Sequence, residues 1–208
     1  MLTVGLTGGI ACGKSLVRRE LQRLGAATVD ADDLARKAVQ PGSPALKRIA
    51  RAFGFRVFDR RGQLDRAKLA AIVFSDRQAR ERLNAIVHPE VFRFQKQWLE
   101  DLGRRPPEER PALAVVDAAL MIETGSYRRY DALVVVFCPQ EQQVKRLMQR
   151  DQLTRQEALR RVRSQMPVQH KRDFADFVID NSGDRESALR QTREVYQKLM
   201  EQASRSKS

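Results

Sequence analysis

The 208-residue chain is long enough for one well-cored unit with small insertions, and its 42% hydrophobic and 31% charged content excludes the disordered and fibrous classes. A formal net charge of +13 asks for an anionic partner: nucleic acid, an acidic membrane or a polyphosphate small molecule. The arginines are scattered, and nine Phe, three Tyr and one Trp offer few stacking platforms, so nucleic acid is disfavoured as a partner.

No membrane partner is expected either. The longest apolar run of the C-terminal half, residues 132–138, falls far short of the roughly 20 residues of a spanning helix. The opening Met1-Leu2-Thr3-Val4-Gly5 lacks the basic and apolar regions of a signal peptide. Cys12 and Cys138 make no disulfide framework, and together these features point to a reducing cytoplasm.

In chain order, residues 2–7 form a compact apolar run entering Gly8-Gly9, the pattern of a buried strand and a tight turn. A helix is predicted over 14–24, with Val17, Leu21 and Leu24 at helical spacing and Gly25 as its stop. Residues 26–29 read as a second strand, closed by Asp30-Ala31-Asp32-Asp33. The stretch 43–102 is nearly all helical with an interruption at 59–62, too long for one crossover, and is expected to be an inserted subdomain. Strand-type density returns at 113–116, 133–138 and 177–179. The Arg- and Gln-rich stretch 150–173, broken at Pro167, reads as a smaller and mobile helical insertion, and the tail 203–208 as frayed. Strands separated by helices predict an α/β fold: a three-layer sandwich around a parallel sheet of five strands.

The strongest motif is Gly8-Gly9-Ile10-Ala11-Cys12-Gly13-Lys14-Ser15, a full G-x-x-x-x-G-K-S between a predicted strand and a predicted helix. Glycines let successive backbone N–H groups converge on phosphate oxygens, and the following helix adds its positive end. Lys14 is expected to reach the β- and γ-phosphates and the Ser15 hydroxyl to ligate Mg²⁺. The ATP-binding set is therefore Gly9, Ile10, Ala11, Cys12, Gly13, Lys14, Ser15 and Leu16. A ligand-free glycine turn is the plain alternative, but strand, loop, lysine, serine and helix all stand in register. No Asn/Thr-Lys-x-Asp element marks a guanine-specific GTPase, and the chain is short for a motor ATPase. A small-molecule kinase remains.

Transfer to a hydroxyl needs a carboxylate to orient it and take its proton. Asp30 and Asp32 follow the second strand, at the carboxyl end of the sheet where open α/β folds bind ligands. Asp32 is the chosen base, with helix capping as the competing role for either residue. Arg36, one turn later, shares its face and suits an anionic acceptor.

The loop with its preceding Val4-Gly5-Leu6-Thr7 resembles the opening of dephospho-CoA kinases, and further segments resemble that family in the same order. These are Val29-Asp30-Ala31-Asp32 with Arg36, then Val39-Gln40-Pro41-Gly42, then Leu83-Asn84-Ala85-Ile86-Val87-His88-Pro89. The run from Gln142 to Asp151 and the segment from Ala175 to Gly183 complete the set, over about residues 2–200. The resemblance implies ATP and dephospho-CoA as substrates, with transfer to the ribose 3′-hydroxyl in the last step of coenzyme A synthesis. It implies a nucleotide-binding core at 1–40, 111–149 and 174–203, a helical acceptor domain at 41–110 and a lid at 150–173. Asp32 and Lys14 become catalytic, joined by Arg146 and Arg150, which would clamp phosphates on closure unless they form a solvated basic face. Asn181 is implied to lie against adenine, a plain turn residue being the alternative. His88, with Pro89 fixing a turn, is expected to be structural or acceptor-binding. Asp117, ending a strand, is expected in the active site, near the metal, on the acceptor or as a cap, and Glu123 marks an acidic family position.

Three departures stand out. Ala11 and Cys12 replace the usual glycine and serine, and Leu16 the usual threonine; Ala11 then requires a backbone angle that alanine adopts. The run 117–123 lacks the expected proline-leucine-leucine pattern. Cys12, at a helix N-terminus, is either an oxidisable thiol or a small spacer. Rival readings are another small-molecule kinase, a nucleic-acid-stimulated ATPase and a non-catalytic nucleotide-binding regulator.

Overall fold

The computed structural model describes residues 1–205, apart from the side chains at 74 and 75. Five short apolar runs become strands: β1 (Leu2–Gly8), β2 (Ala27–Asp30), β3 (Leu113–Asp117), β4 (Ala132–Phe137) and β5 (Phe177–Asp180). They form one sheet in the order β2-β3-β1-β4-β5, with every pairing parallel. β3 is apolar up to Asp117, and β1 carries only the small polar Thr3 and Thr7 among apolar residues, because both strands are buried on both faces, as parallel strands between helices must be. The expected α/β fold with a five-stranded parallel sheet is thus present, its strand ends within one residue of expectation.

The chain divides into two compact units, residues 1–30 with 102–208, and residues 31–101. The first holds the sheet with α1 (Lys14–Arg23), α6 (Gln140–Asp151), α7 (Arg155–Arg163), α8 (Val168–Lys171) and α9 (Arg185–Arg205). Its core joins Val4, Leu6, Val115, Val134 and Val136 of the sheet to Val17 and Leu21 of α1 and Val195 and Leu199 of α9. Glu20 ties the two helices, accepting 2.8 Å bonds from Arg23 and Arg193. α9 runs to Arg205 with Ala203 buried, so the frayed tail expected from 203 does not begin there; 206–208 lie outside the described residues.

The second unit is helical: α2 (Ala31–Ala38), α3 (Pro44–Phe53), α4 (Arg66–Ser75) and most of α5 (Arg77–Gly103). Ser43 and Asp65 cap α3 and α4 by accepting from the backbone N–H groups of Leu46 and Lys68. The expected interruption at 59–62 is a turn in which the Asp59 carboxylate accepts from the Arg61 and Gln63 N–H groups. Ile49, Phe53, Val57 and Leu69 form the core of this unit. This compact unit spans residues 31–101, and α2 starts directly where β2 ends.

Pro89 corrects a reading. It does not make a turn beside His88 but sits inside the 27-residue helix α5. Proline there removes one backbone bond, a local loss of about 3 kcal/mol in an isolated helix, which packing of the surrounding face outweighs. His88 is half-buried, 6.0 Å from the Phe92 ring, and burial holds its pKa below the ordinary imidazole value.

Candidate active site

The site in the first unit is built where β1 ends. Gly13 stands in the left-handed region at φ 89, immediately before α1, and a side chain at Gly13 would collide with the Asn181 amide. Asn181 is buried, and its Nδ2 donates to the Cys12 carbonyl at 2.8 Å. Arg146 in turn donates to the Asn181 carbonyl at 2.8 Å. Asn181 therefore braces the loop from below.

Ala11 also occupies the left-handed region, at φ 58. The backbone angle alanine adopts here is one that costs L-residues on the order of 1 kcal/mol, which explains why glycine suits this position. Ala11→Gly is expected to raise the melting temperature by about 1–3 °C, because relief of that cost exceeds the added unfolded-state entropy. A lowered melting temperature in a calorimetric scan would mean that the Ala11 methyl, packed against the cluster of Val144, Leu147, Ala158 and Val162, matters more than the angle.

The register places Asp30 of β2 opposite Asp117 of β3, at the carboxyl edge of the sheet. Lys14 Nζ lies 3.4 Å from Asp117, and Arg18 lies between the two carboxylates, 3.4 Å from Asp117 and 3.6 Å from Asp30. Asp117 is buried, which pushes its carboxyl above the ordinary range; Lys14 and Arg18 oppose the push, and Asp30 adds to it. Asp117 Oδ1, Arg18 Nε and Arg146 Nη1 are buried without hydrogen-bond partners. Asp117 Oδ1 and Arg18 Nε still face an opposite charge at 3.4 Å, so of the three it is Arg146 Nη1 whose burial calls most for a ligand.

A cavity of about 570 Å³ opens here, lined by Gly9, Gly13, Lys14, Ser15, Asp117, Arg146 and Arg150, among others. Arg146 and Arg150 do share one face of α6 toward the loop residues, as one-turn spacing requires. Arg150 also forms a bidentate pair with Asp151. Leu16 continues α1, and Cys12 turns inward: its sulfur lies 3.3 Å from Cys138, both thiols buried. The bond from Cys138 lowers the Cys12 pKa against the push of burial, and raises that of Cys138.

Asp32 and Arg36 belong to the second unit, on α2, and both line an apolar cavity of about 360 Å³ with Val39, Leu69, Val73 and Val87. Arg36 hydrogen-bonds Asp33, an exposed pair. His88 follows Val87 on α5 but is not among the lining residues of this cavity.

Sequence reasoning missed Arg18, although its position four residues after Lys14 on one helix marks the shared face. It also missed Lys171, a fully buried lysine that donates to the Ala119 carbonyl at 2.7 Å and pairs with Glu123 at 2.9 Å. Burial lowers the Lys171 pKa, with Glu123 opposing. No local signal marks it, since its partner lies 48 residues away in the chain.

A parallel α/β sheet with a glycine-lysine-serine loop, an anion-ready cavity and cations from α6 defines a P-loop kinase. The family model for dephospho-CoA kinase matches residues 2–187. Dephospho-CoA kinases of Syntrophotalea carbinolica and Geobacter sulfurreducens are 47% and 44% identical, covering 96% and 95% of this chain and 91% and 98% of theirs. A solved dephospho-CoA kinase from Campylobacter jejuni matches with a TM-score of 0.70 at 28% identity, covering 96% of this chain and 97% of its own. The chain belongs to the dephospho-CoA kinase family. A shikimate kinase from Acinetobacter baumannii shares the fold, with a TM-score of 0.50 at 18% identity over 97% of this chain and 94% of its own.

Proposed function

We propose that this chain transfers the γ-phosphoryl group of ATP to the ribose 3′-hydroxyl of dephospho-CoA, giving coenzyme A and ADP in the final step of coenzyme A synthesis. Family membership over nearly the whole chain is the observation that carries the reading. The loop around Gly13, Lys14 and Ser15 cradles the phosphates, the Ile10 N–H being taken by Gln165, and Lys14 with Arg146 and Arg150 balances the charge that spreads over the transferring group. Ser15 and the Asp117 carboxylate, whose Oδ1 makes no hydrogen bond, suit an Mg²⁺ ion, which usually takes only one or two protein ligands beside phosphate and water. When bound with ATP, Mg²⁺ supplies charge neutralisation at the phosphates.

Asp32 is the base that orients the acceptor hydroxyl and takes its proton, and Arg36 meets an anionic group of the acceptor. Their shared cavity offers apolar lining beside a carboxylate and a cation, which suits a long, partly apolar substrate. Asn181 lies against the nucleotide base and His88 in the acceptor domain, and the segment 150–173 serves as a lid. The two free cysteines suit a reducing cytoplasm. In place of a nucleic acid, two polyanionic small molecules account for the charge of +13. No described helix is long and apolar enough to cross a membrane.

The deciding assay couples ADP release to Mg²⁺-ATP with and without dephospho-CoA and checks the product by mass. ADP release that depends on dephospho-CoA, with one phosphate added to it, is the expected outcome. Release without that product would move the reading to another hydroxyl acceptor.

A further inference from the structure

The main chain of Ile10, inside the phosphate loop, is held at both its N–H and its carbonyl by side-chain amides. Its N–H donates to Gln165 Oε1 at 2.8 Å, and its carbonyl accepts from Gln143 Nε2 at 2.8 Å. Gln143 comes from α6 and is buried, and a side chain at Gly9 would collide with its amide. Gln165 lies between α7 and α8, in the segment 150–173.

The C-terminal end of that segment is itself anchored. The N–H of Met166, the next residue, donates to Glu123 at 3.1 Å, and Glu123 pairs with buried Lys171. Ile10 and Ala11 also pack beside Val144, Leu147, Ala158 and Val162 of α6 and α7. The outer side of the phosphate loop is therefore held by the segment after α6, while its inner side faces the cavity.

We propose that Gln143 and Gln165 are positioning residues for ATP: together they set the curve of the phosphate loop, and Gln165 makes that curve depend on the placement of residues 165–171. Neither touches the reacting atoms. Their chemistry is asymmetric, since Gln165 serves as acceptor and Gln143 as donor. A carboxylate replaces the first without losing the bond, whereas at the second it faces a carbonyl with nothing to donate. Ile10 and Gln165 lie outside the lining of the phosphate cavity, so a carboxylate at 165 is set behind the loop.

The inference rests on residues 8–15 being the ATP cradle, and calorimetric titration of the wild-type chain with Mg²⁺-ATP tests that first. Absence of binding there sinks the cradle reading itself. Given wild-type binding, Gln165→Met is expected to weaken ATP affinity and raise KM for ATP about tenfold. Gln165→Glu should stay within about threefold of wild type, and Gln143→Glu should be impaired at least as much as Gln143→Met. KM for dephospho-CoA should stay within about twofold throughout, a split that general destabilisation would not produce. Equal effects of Glu and Met at 165, or KM rising equally for both substrates, would overturn the proposal. If the Gln143 variants do not fold, the pair at 165 decides alone.

Discussion

Lys14→Ala is expected to lower kcat/KM for ATP by about 10²–10³, with weakened nucleotide binding as well as slower transfer. Removing one preorganised charge from a phosphoryl-transfer site forfeits about 3–4 kcal/mol of transition-state stabilisation. The structure adds a second route to the loss. Lys14 stands 3.4 Å from buried Asp117 and opposes the upward push of burial on its carboxyl. Without the ammonium, burial pushes the Asp117 carboxyl further above the ordinary range. Nucleotide titration and ADP-release kinetics on the variant check both parts. Unchanged kinetics would mean that the loop is not the phosphate site.

The sheet and the phosphate loop were legible in the sequence because their causes are local. A parallel strand buried on both faces needs a largely apolar run, and Leu2–Gly8, interrupted only by Thr3 and Thr7, and residues 113–116 supply one each. The loop needs glycine, lysine and serine at fixed spacing, and all are present. The register then brings Asp30 beside Asp117, which neither residue's neighbourhood signals by itself. Pro89 shows the opposite case: its local preference is to end a helix, and a 27-residue helix passes through it.

The supports of the loop were hidden for a similar reason. Gln143 and Gln165 sit in Gln- and Arg-rich stretches that read as solvated surface, and only the fold turns their amides onto Ile10. Lys171 likewise looks like one more surface cation until Glu123 and the Ala119 carbonyl surround it. Ala11 was legible as a departure but not in sign, because a φ of 58 belongs to the folded loop and not to the residue. Asn181 was read as a nucleotide contact; its amide is spent on the Cys12 carbonyl, so its first effect is on loop shape.

Asp32→Asn separates the phosphate cradle from proton transfer. The substitution keeps the size and hydrogen-bonding reach of the side chain but removes the base, and general-base assistance contributes about 10²–10⁴ in rate. Turnover with dephospho-CoA is expected to fall by that factor. Affinity for Mg²⁺-ATP should stay within about twofold, since Asp32 is not among the residues that line the phosphate cavity. Asparagine still donates and accepts, so KM for dephospho-CoA should rise far less than kcat falls, the mark of a group used mainly in the transition state. Single-turnover kinetics with saturating ATP measures the step directly. Near-normal turnover would remove Asp32 from the base role and leave the apolar cavity beside Arg36 as an acceptor site whose proton goes elsewhere.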